Sequence, residues 1–499
     1  MKKTSLLIIL MAALLLPSGL YAQKKGAAPA QNKGHLITFT IPKAKDQKVY
    51  LAVYYREKLI LKDSAFRTES KAGPQFIFKG DEAYQGGLYK LVSETHFPYM
   101  DFIMDGPQFM SFECGVTGSA DSVIVHNSPQ NDELMAFQRK TTAAGKQMSE
   151  YRRLLDEAKK NENQADIDKY EKLSKDLNQE MEDYIQNLID RNPTYLFSKM
   201  QKAYQSINVP DPPTNPDGSI DSTFQLRYYL THYWDNIDLG DSRFIFTPLF
   251  EPKLKDYFDR WLQYQEPDSI NHYIDLMLAR AEADTLMFHY LIDWLSYHYE
   301  TSKVLGHDGV FVHIVKENHM KGKCTWMDED LLRKYEKRVK HLDPILIGRQ
   351  SQELIIPDTT LTDDFTKWHS SYRLPKKYVI LWFYDPDCPT CKKESKKLRA
   401  VYDSLENLGQ RNFDVYAVAN DADIDRWKKY VKENNYPWIN VGGNKGNVDY
   451  LEAYNIYESG NPAMFILNER REIILNRRIE METIPEFLRQ YEKRQALKH

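Results

Sequence analysis

The stretch YVILWFYDPDCPTCKKE, residues 378–394, decides how the C-terminal part of this chain folds. Its first seven residues are apolar or aromatic without interruption, which is typical of a strand in a sheet that is covered on both faces. Asp385-Pro386-Asp387 ends that strand, and Pro389 suits the first turn of a helix. The stretch therefore predicts a buried strand that gives way to a helix, with two cysteines at the junction.

Cys388 and Cys391 allow three interpretations: a redox pair, half of a metal site, or two thiols that are close by chance. A structural zinc site needs about four ligands, typically including a second Cys or His pair. The other cysteines, Cys114 and Cys324, are isolated in the sequence, and the 13 histidines show no paired spacing. We therefore expect no metal at this pair, and we expect both isolated cysteines to be small buried side chains.

The position of Cys388 favours the redox interpretation over chance. A side chain at the first turn of a helix lies near unpaired backbone N–H groups and the positive end of the helix dipole, and both stabilise a thiolate. Cys391 follows one turn later and is expected to be more covered. We predict that Cys388 is the nucleophile, that Cys391 is the resolving thiol, and that no cofactor is needed beyond the redox-active disulfide between them.

The rest of the C-terminal region alternates between strand and helix patterns, and it predicts a mixed sheet with helices on its faces. The predicted strands cover residues 378–384, 413–419, 438–441, 463–467 and 472–478. The predicted helices cover residues 389–408 and 423–434 and a terminal segment that begins near residue 483.

Residues 350–495 resemble the thioredoxin-like fold of TlpA-like envelope thiol–disulfide oxidoreductases. The strand–Cys-x-x-Cys–helix unit carries this resemblance, together with Glu394, which completes a Cys-x-x-Cys-x-x-Glu pattern, and Asn461-Pro462 before a strand. The resemblance implies that Glu394 tunes the protonation of the cysteines and that Pro462 is a cis-proline that faces them. It also implies disulfide-containing envelope proteins as clients and a membrane thiol as electron donor.

Two residues at this site depart from the family pattern. Asp387 stands directly before Cys388, where thioredoxins usually have tryptophan, and a nearby negative charge opposes ionisation of a thiol. Trp382 occupies the strand position of the buried aspartate of thioredoxin, so Glu394 is the remaining candidate for proton transfer. The alternative role for Glu394 is that of an exposed helix residue beside Lys397.

The residues upstream of this region fall into two parts. Residues 35–127 contain short β-branched or aromatic runs separated by turn residues, and they predict an antiparallel β-sandwich. Residues 128–348 are mainly helical in pattern, and Tyr170, Leu177 and Leu188 lie on one face of a helix that suits a helical hairpin better than a coiled-coil partner helix. These parts are similar to a β-rich domain and a helical family of unknown function found in exported bacterial proteins with thioredoxin-like domains.

The N-terminus has the features of a cleavable secretory signal in their usual order. Lys2 and Lys3 precede an apolar run, residues 6–16, that is too short to span a bilayer as a helix, and Ala22 precedes a plausible cut at Gln23. The formal net charge of −4 argues against nucleic-acid binding, because nucleic-acid-binding domains are basic. From the secretory signal pattern we expect an exported protein of the periplasm or cell envelope.

Together these features predict an exported thiol–disulfide oxidoreductase, more specifically a reductase. Two other functions stay open: a thiol peroxidase, and a ligand- or partner-binding envelope protein in which the cysteine pair is a structural disulfide. Peroxidases of the peroxiredoxin type usually carry Thr or Ser three residues before the reactive cysteine, where this chain has Asp385. The predicted parts are a signal peptide (1–22), a flexible leader (23–34), a β-rich domain (35–127), a helical domain (128–348) and a thioredoxin-like domain (349–499).

Overall fold

In the computed structural model, the chain forms an N-terminal sheet, a helical region and a C-terminal α/β domain, which confirms the predicted multidomain fold class. The predicted signal peptide, residues 1–22, lies outside the described residues, as does the leader 23–34 except for Gly34. No helix among the described residues is long and apolar enough to cross a membrane. The structure describes residues 34–115, 122–214, 216–358, 367–420, 423–442 and 446–498.

The N-terminal part is one continuous eight-stranded sheet with the order β6-β5-β2-β3-β4-β1-β7-β8. Its pairs are antiparallel except for β1 with β7, which is parallel. The sequence analysis did not delimit β3 and β7 as strands; β3 is rich in charged side chains, which weakens its apolar pattern. The strands are β1 (His35–Thr40), β2 (Lys48–Tyr55), β3 (Lys58–Ser70), β4 (Gly73–Gly80), β5 (Gly87–Ser93), β6 (Pro98–Met104), β7 (Gln108–Cys114) and β8 (Val123–His126).

The long strand β3 makes this sheet curl into two layers. Its residues 58–66 pair with β2, and its residues 67–70 pair with β4. The two halves of the sheet then face one another, so that the rings of Phe39 in β1 and Phe102 in β6 lie 5.2 Å apart. The layers expected for a sandwich are present, and they are joined through β3 instead of being separate sheets.

The region after the sheet is mainly helical, as predicted. α1 and α2 form an antiparallel hairpin, in which Lys140 lies 2.6 Å from Glu180 and Arg191 lies 2.6 Å from Glu133. Two π-helical turns, at 256–262 and 315–319, extend α5 and α8. The helices are α1 (Pro129–Lys160), α2 (Gln164–Arg191), α3 (Leu196–Ala203), α4 (Phe224–His232), α5 (Phe250–Lys255), α6 (Pro267–Ala281), α7 (Thr285–Glu300), α8 (His307–Ile314) and α9 (Glu329–Leu342).

The sheet and the helical region share one hydrophobic core. Leu134 and Met135 of α1 and Phe250 of α5 belong to the same buried cluster as Phe39 and Phe102. The sequence pattern changes at residues 127–128 because the secondary structure changes there, whereas the core continues across that point. Burial of apolar surface from both parts therefore stabilises them together.

The C-terminal domain is built on a five-stranded sheet with the order β13-β12-β11-β14-β15. β11 is parallel to β12 and antiparallel to β14, and all seven of its residues are buried, as the sequence predicted. The elements are β9 (Ile355–Pro357), β10 (Trp368–Ser370), β11 (Tyr378–Tyr384), α10 (Pro389–Asn407), β12 (Phe413–Ala419), α11 (Ile424–Asn434), β13 (Ile439–Val441), α12 (Tyr450–Ala453), α13 (Ile456–Ser459), β14 (Ala463–Leu467), β15 (Ile473–Leu475) and α14 (Ile484–Lys498).

Alternation along β11 divides its side chains between two cores. Trp382 and Tyr384 face a cluster that also contains Cys391 of α10, whereas Leu381 and Phe383 face a second cluster with Tyr454. Because side chains of a strand point alternately to opposite faces, both faces of this strand are covered by apolar groups. The strand therefore holds the start of α10 in a fixed place.

Asn131→Ala should destabilise the core that the N-terminal sheet and the helices share. Asn131 is fully buried, and its side chain accepts a hydrogen bond from Ile103 N–H at 2.7 Å and donates one to Ile103 C=O at 2.9 Å. Alanine leaves both groups of the edge strand unpaired, and we expect a loss of about 2–4 kcal/mol in the free energy of unfolding, measured by urea denaturation.

Gln179→Ala on the exposed surface of α2 is the matched control, and it should change that free energy by less than about 0.5 kcal/mol. Equal losses in the two variants would show that the bridge between α1 and β6 contributes nothing specific.

Candidate active site

Cys388 caps the N-terminus of α10. Its backbone is extended, with φ −68° and ψ 116°, and its Sγ accepts a hydrogen bond from the backbone N–H of Cys391 at 3.2 Å. Cys388 is half-buried, and Cys391 is fully buried. The sulfur of Cys388 thus occupies the place of a capping oxygen, where an N–H group of the first helical turn points at it.

The loop before the helix is held by two hydrogen bonds to Asp385. The carbonyl of Asp385 accepts from Cys388 N–H at 3.2 Å, and its carboxylate accepts from Asp387 N–H at 2.7 Å. The carboxylate of Asp387 lies 2.6 Å from the guanidinium of Arg426 in α11. The Asp387 carboxylate, whose negative charge was expected to oppose formation of the Cys388 thiolate, is therefore paired with a cation.

Cys391 lies in an aromatic and hydroxyl-rich environment. Burial raises the pKa of the Cys391 thiol to about 12, and the adjacent Cys388 adds to this rise. Trp382 donates its indole N–H to Ser395 Oγ at 2.9 Å. The position that the resemblance gives to a buried aspartate is therefore filled by an indole that is already hydrogen-bonded, and it supplies no proton acceptor.

Glu394 is buried, with 7 % of its surface exposed, so its alternative role as an exposed helix residue does not apply. Its carboxylate lies 3.4 Å from Lys397 Nζ, and Lys397 in turn lies 3.0 Å from Glu480. Glu394 is one helical turn beyond Cys391, on the covered side of α10. This position on the helix that carries both cysteines keeps Glu394 as the candidate for proton transfer.

Pro462 lies at the same edge of the sheet as the cysteines. The Asn461–Pro462 peptide bond is cis, and the following Ala463 pairs with Phe383 near the end of β11. Asn461 Oδ1 accepts a hydrogen bond from Asn420 Nδ2 at 2.6 Å, and Asn420 N–H donates to the carbonyl of Tyr384 at 2.8 Å. The structure thus places the predicted site residues around the carboxyl end of β11.

Two further residues shape this site and were missed in the sequence. Ser395 lies one turn after Cys391, and that spacing was a usable signal for a group on the same helix face. Arg426 is in another helix, and nothing in the sequence indicated that it would meet Asp387. Long-range ion pairs of this kind depend on how the helices pack.

The isolated cysteines behave as expected. Cys114 and Cys324 are both buried and form no disulfide, and burial raises the pKa of each thiol to about 12. Within the described ranges, no group of three or more His, Cys, Asp or Glu side chains is arranged to hold a metal ion.

Two parts of the chain match known families. Residues 354–475 match the AhpC/TSA family, and residues 158–342 match the domain of unknown function DUF5106. With the strand order described above, the first match shows that the C-terminal domain is a thioredoxin-fold domain of the oxidoreductase class. The helical family of unknown function that the sequence resembles is also confirmed.

The three solved structures described next have TM-scores below 0.5, so the assignment does not depend on them. A thioredoxin-like protein from Bacteroides caccae is 19% identical over 57% of this chain and 99% of its own, with a TM-score of 0.41. A domain of a possible thiol-disulfide isomerase from Cytophaga hutchinsonii is 31% identical over 31% of this chain and 97% of its own, with a TM-score of 0.27. The thioredoxin domain of a thiol-disulfide oxidoreductase from Bacteroides vulgatus is 21% identical over 29% of this chain and 96% of its own, with a TM-score of 0.25. Comparison with curated proteins gave no match.

The thiol of Cys391 should resist alkylation near neutral pH. Its pKa of about 12 leaves very little thiolate, so its rate of reaction with iodoacetamide should rise about tenfold for each pH unit between pH 7 and pH 10. Mass spectrometry of the two labelled sites, which lie three residues apart, can follow each thiol after digestion and fragmentation.

Protein denatured in urea provides the control, because an unfolded cysteine has a pKa of about 8.5 and its rate of reaction with iodoacetamide should level off above that pH. A native Cys391 that reacts as fast as Cys388 at pH 7 would contradict the burial described here.

Proposed function

We propose that this protein is an exported thiol–disulfide oxidoreductase that reduces disulfides in proteins of the cell envelope. The observation that carries the proposal is the contact between the cysteines: the half-buried Sγ of Cys388 accepts the N–H of the fully buried Cys391 at 3.2 Å. One sulfur is accessible to a client and the other is held behind it. This asymmetry is what a two-step exchange of disulfide bonds requires.

The first step is attack by Cys388. Its sulfur, which accepts a backbone N–H at the N-terminus of α10, attacks as a thiolate one sulfur of the client disulfide. A mixed disulfide forms between Cys388 and the client, the client S–S bond breaks, and the second client sulfur leaves as a thiolate that takes up a proton. Pro462, placed at the same edge of the sheet, borders the surface where the client chain docks.

The second step releases the client. Cys391 loses its proton and attacks Sγ of Cys388, which forms the internal disulfide and frees the other client sulfur as a thiol. Because burial raises the pKa of Cys391, this step needs a proton acceptor. Glu394 is the group we assign to that role, since it is buried one turn away on the same helix. The client gains two electrons and two protons, and the protein loses them.

A dithiol donor must then reduce the internal disulfide. The resemblance to TlpA-like proteins supports a membrane thiol as that donor and disulfide-containing envelope proteins as clients. The direction of net transfer can be measured as the redox state of Cys388 in growing cells, by trapping thiols in acid. A pair found mainly oxidised would favour net oxidation of clients over reduction.

Export to the periplasm or cell envelope is supported by the N-terminal pattern of Lys2, Lys3 and the apolar run that follows. Structural disulfides are common in that compartment and rare in the cytosol, so clients for this chemistry are available there. Protein sequencing of the mature chain tests this part, because an N-terminus at Gln23 supports export and an intact Met1 counts against it.

Two alternatives make different demands on the same residues. A thiol peroxidase would consume peroxide without an added thiol partner, but this chain has Asp385 where a Thr or Ser is usual and has Cys391 three residues after Cys388. In a binding protein the cysteine pair would form only a structural disulfide, and replacement of Cys388 would leave ligand or partner binding intact.

Substitution of the two cysteines should separate their roles. Cys388→Ser should abolish insulin reduction, because the attacking sulfur is lost, whereas Cys391→Ser should accumulate mixed disulfides with clients, because resolution is lost. Turbidity of reduced insulin and non-reducing electrophoresis measure these outcomes. Cys324→Ser, which alters a cysteine in the helical region, is the control and should keep the activity.

Equal insulin reduction by the wild type and by Cys388→Ser would remove the enzymatic proposal. Trapping by Cys388→Ser instead of Cys391→Ser would reverse the assignment of the two thiols.

Glu394→Gln should slow the second step and spare the first. The amide keeps the shape of the side chain but accepts no proton, so we expect release of the mixed disulfide at pH 7 to slow about tenfold or more. Stopped-flow measurements with a labelled peptide disulfide resolve formation from release. Glu433→Gln, in the exposed surface of α11, is the matched control, and a loss confined to the formation step would contradict the role given to Glu394.

A further inference from the structure

A cavity of about 460 Å³ lies where the helical region meets the C-terminal domain. Residues 476–478, which follow β15, form one wall, and side chains of the helical region form the other. Two hydrogen bonds join the walls: Asn476 Nδ2 donates to Asp308, and Arg477 donates to the carbonyl of Lys303. The cavity is therefore lined by both the helical region and the C-terminal domain.

One wall of this cavity continues toward the catalytic edge of the sheet. β11 and β15 are both antiparallel to β14, so the two strands run in the same direction, and residues 476–478 follow β15 toward the edge at which β11 ends. The next residues pack against α10, where Glu480 lies 3.0 Å from Lys397. In the helical region, Leu305, which lies in sequence between the lining residues Lys303 and Asp308, packs against the buried cluster that contains Cys391.

The cavity is rich in positive charge. Its lining includes four cations against two carboxylates, Glu300 and Asp308, and Arg338 is held by Glu300 at a distance of 3.0 Å. Lys303 and Arg478 are exposed, and within the described ranges the structure gives neither of them an ion pair. Two exposed cations at the mouth of a cavity attract a ligand that carries carboxylates.

Three buried polar atoms of the lining have no hydrogen-bond partner among the described residues: Tyr299 Oη, Asp308 Oδ1 and Asn476 Oδ1. Tyr299 is only 1% exposed, and burial raises its pKa well above the usual value, so its hydroxyl keeps its proton and can donate. The other two atoms are acceptors. A ligand that satisfies them must offer both an acceptor and N–H donors, as the peptide backbone does.

We infer that this cavity binds an acidic segment of the client polypeptide that flanks its disulfide. A backbone carbonyl of the segment accepts from the Tyr299 hydroxyl, its N–H groups donate to Asp308 Oδ1 and Asn476 Oδ1, and its carboxylates lie near Lys303 and Arg478. Such docking at the catalytic edge would bring a neighbouring disulfide to Cys388. The inference rests on the proposed function and deepens it, since it names the class of client that the same site selects.

Two synthetic peptide disulfides test this selection. They share one sequence and one fluorophore–quencher disulfide, and they differ only in a flank of Asp and Glu in one and of Asn and Gln in the other. Reduced full-length protein should show a kcat/KM about tenfold higher for the acidic peptide, since each exposed charge contact is worth a factor of about two to five. The ratio should fall as salt is raised, because salt screens exposed charges.

Lys303→Ala combined with Arg478→Ala should bring the ratio of the two kcat/KM values close to one. Lys58→Ala combined with Lys79→Ala removes the same two charges from exposed positions of the N-terminal sheet and should keep the ratio. Tyr299→Phe removes no hydrogen bond within the described protein, so the fold should be retained, and the KM of both peptides should rise about threefold.

The outcomes distinguish this inference from the proposed function. Equal kcat/KM for the two peptides, with reduction that still depends on Cys388, would overturn the acidic selection and leave the oxidoreductase standing. Unchanged KM values in Tyr299→Phe would overturn the pairing with the peptide backbone. Reduction of neither peptide by the wild type would overturn both proposals.

Discussion

The burial of β11 on both faces is the constraint on which the rest of the site depends. Because every residue of this strand is covered, its end at Tyr384 is fixed, and the start of α10 is fixed with it. Cys388 then lies at the cap of the helix, where a backbone N–H reaches its sulfur, and Cys391 lies behind it in the core. The difference in exposure between two cysteines three residues apart is thus a direct consequence of sheet packing.

Proton handling at this site differs from the arrangement that the resemblance implies. Trp382 fills the place of a buried carboxylate, and its indole N–H is engaged with Ser395. The carboxylate that is available, Glu394, projects from the helix instead of the strand and is linked through Lys397 to Glu480. The charge that neighbours the cysteines is therefore tied to the segment that follows β15. Residues 476–478 of the same segment form one wall of the interdomain cavity.

The N-terminal sheet and the helical region are packed together, and the helical region contacts the C-terminal domain. The N-terminal sheet and the helical region share one core, so they form a single support. The helical region contacts the C-terminal domain directly after β15 through Asp308 and Lys303, and again at α13, where Glu458 lies 3.2 Å from His341 of α9. α13 directly precedes the loop that carries Pro462. The helical region therefore contacts the C-terminal domain in two separate places.

The sequence by itself determined the local features of this protein. The apolar run of β11, the helix signal after it, and the spacing of Cys388, Cys391 and Glu394 predicted the strand, the helix and the shared helix face, because these depend on residues that are close in sequence. Only the tertiary structure decided which distant groups meet: Arg426 with Asp387, Asn420 with Asn461, and Asn476 with Asp308. The curl of the N-terminal sheet through β3, and the core that crosses residues 127–128, were also decided at that level. These contacts arise from the packing of elements far apart along the chain, and a periodic pattern of apolar residues specifies which face is buried but not which neighbour covers it.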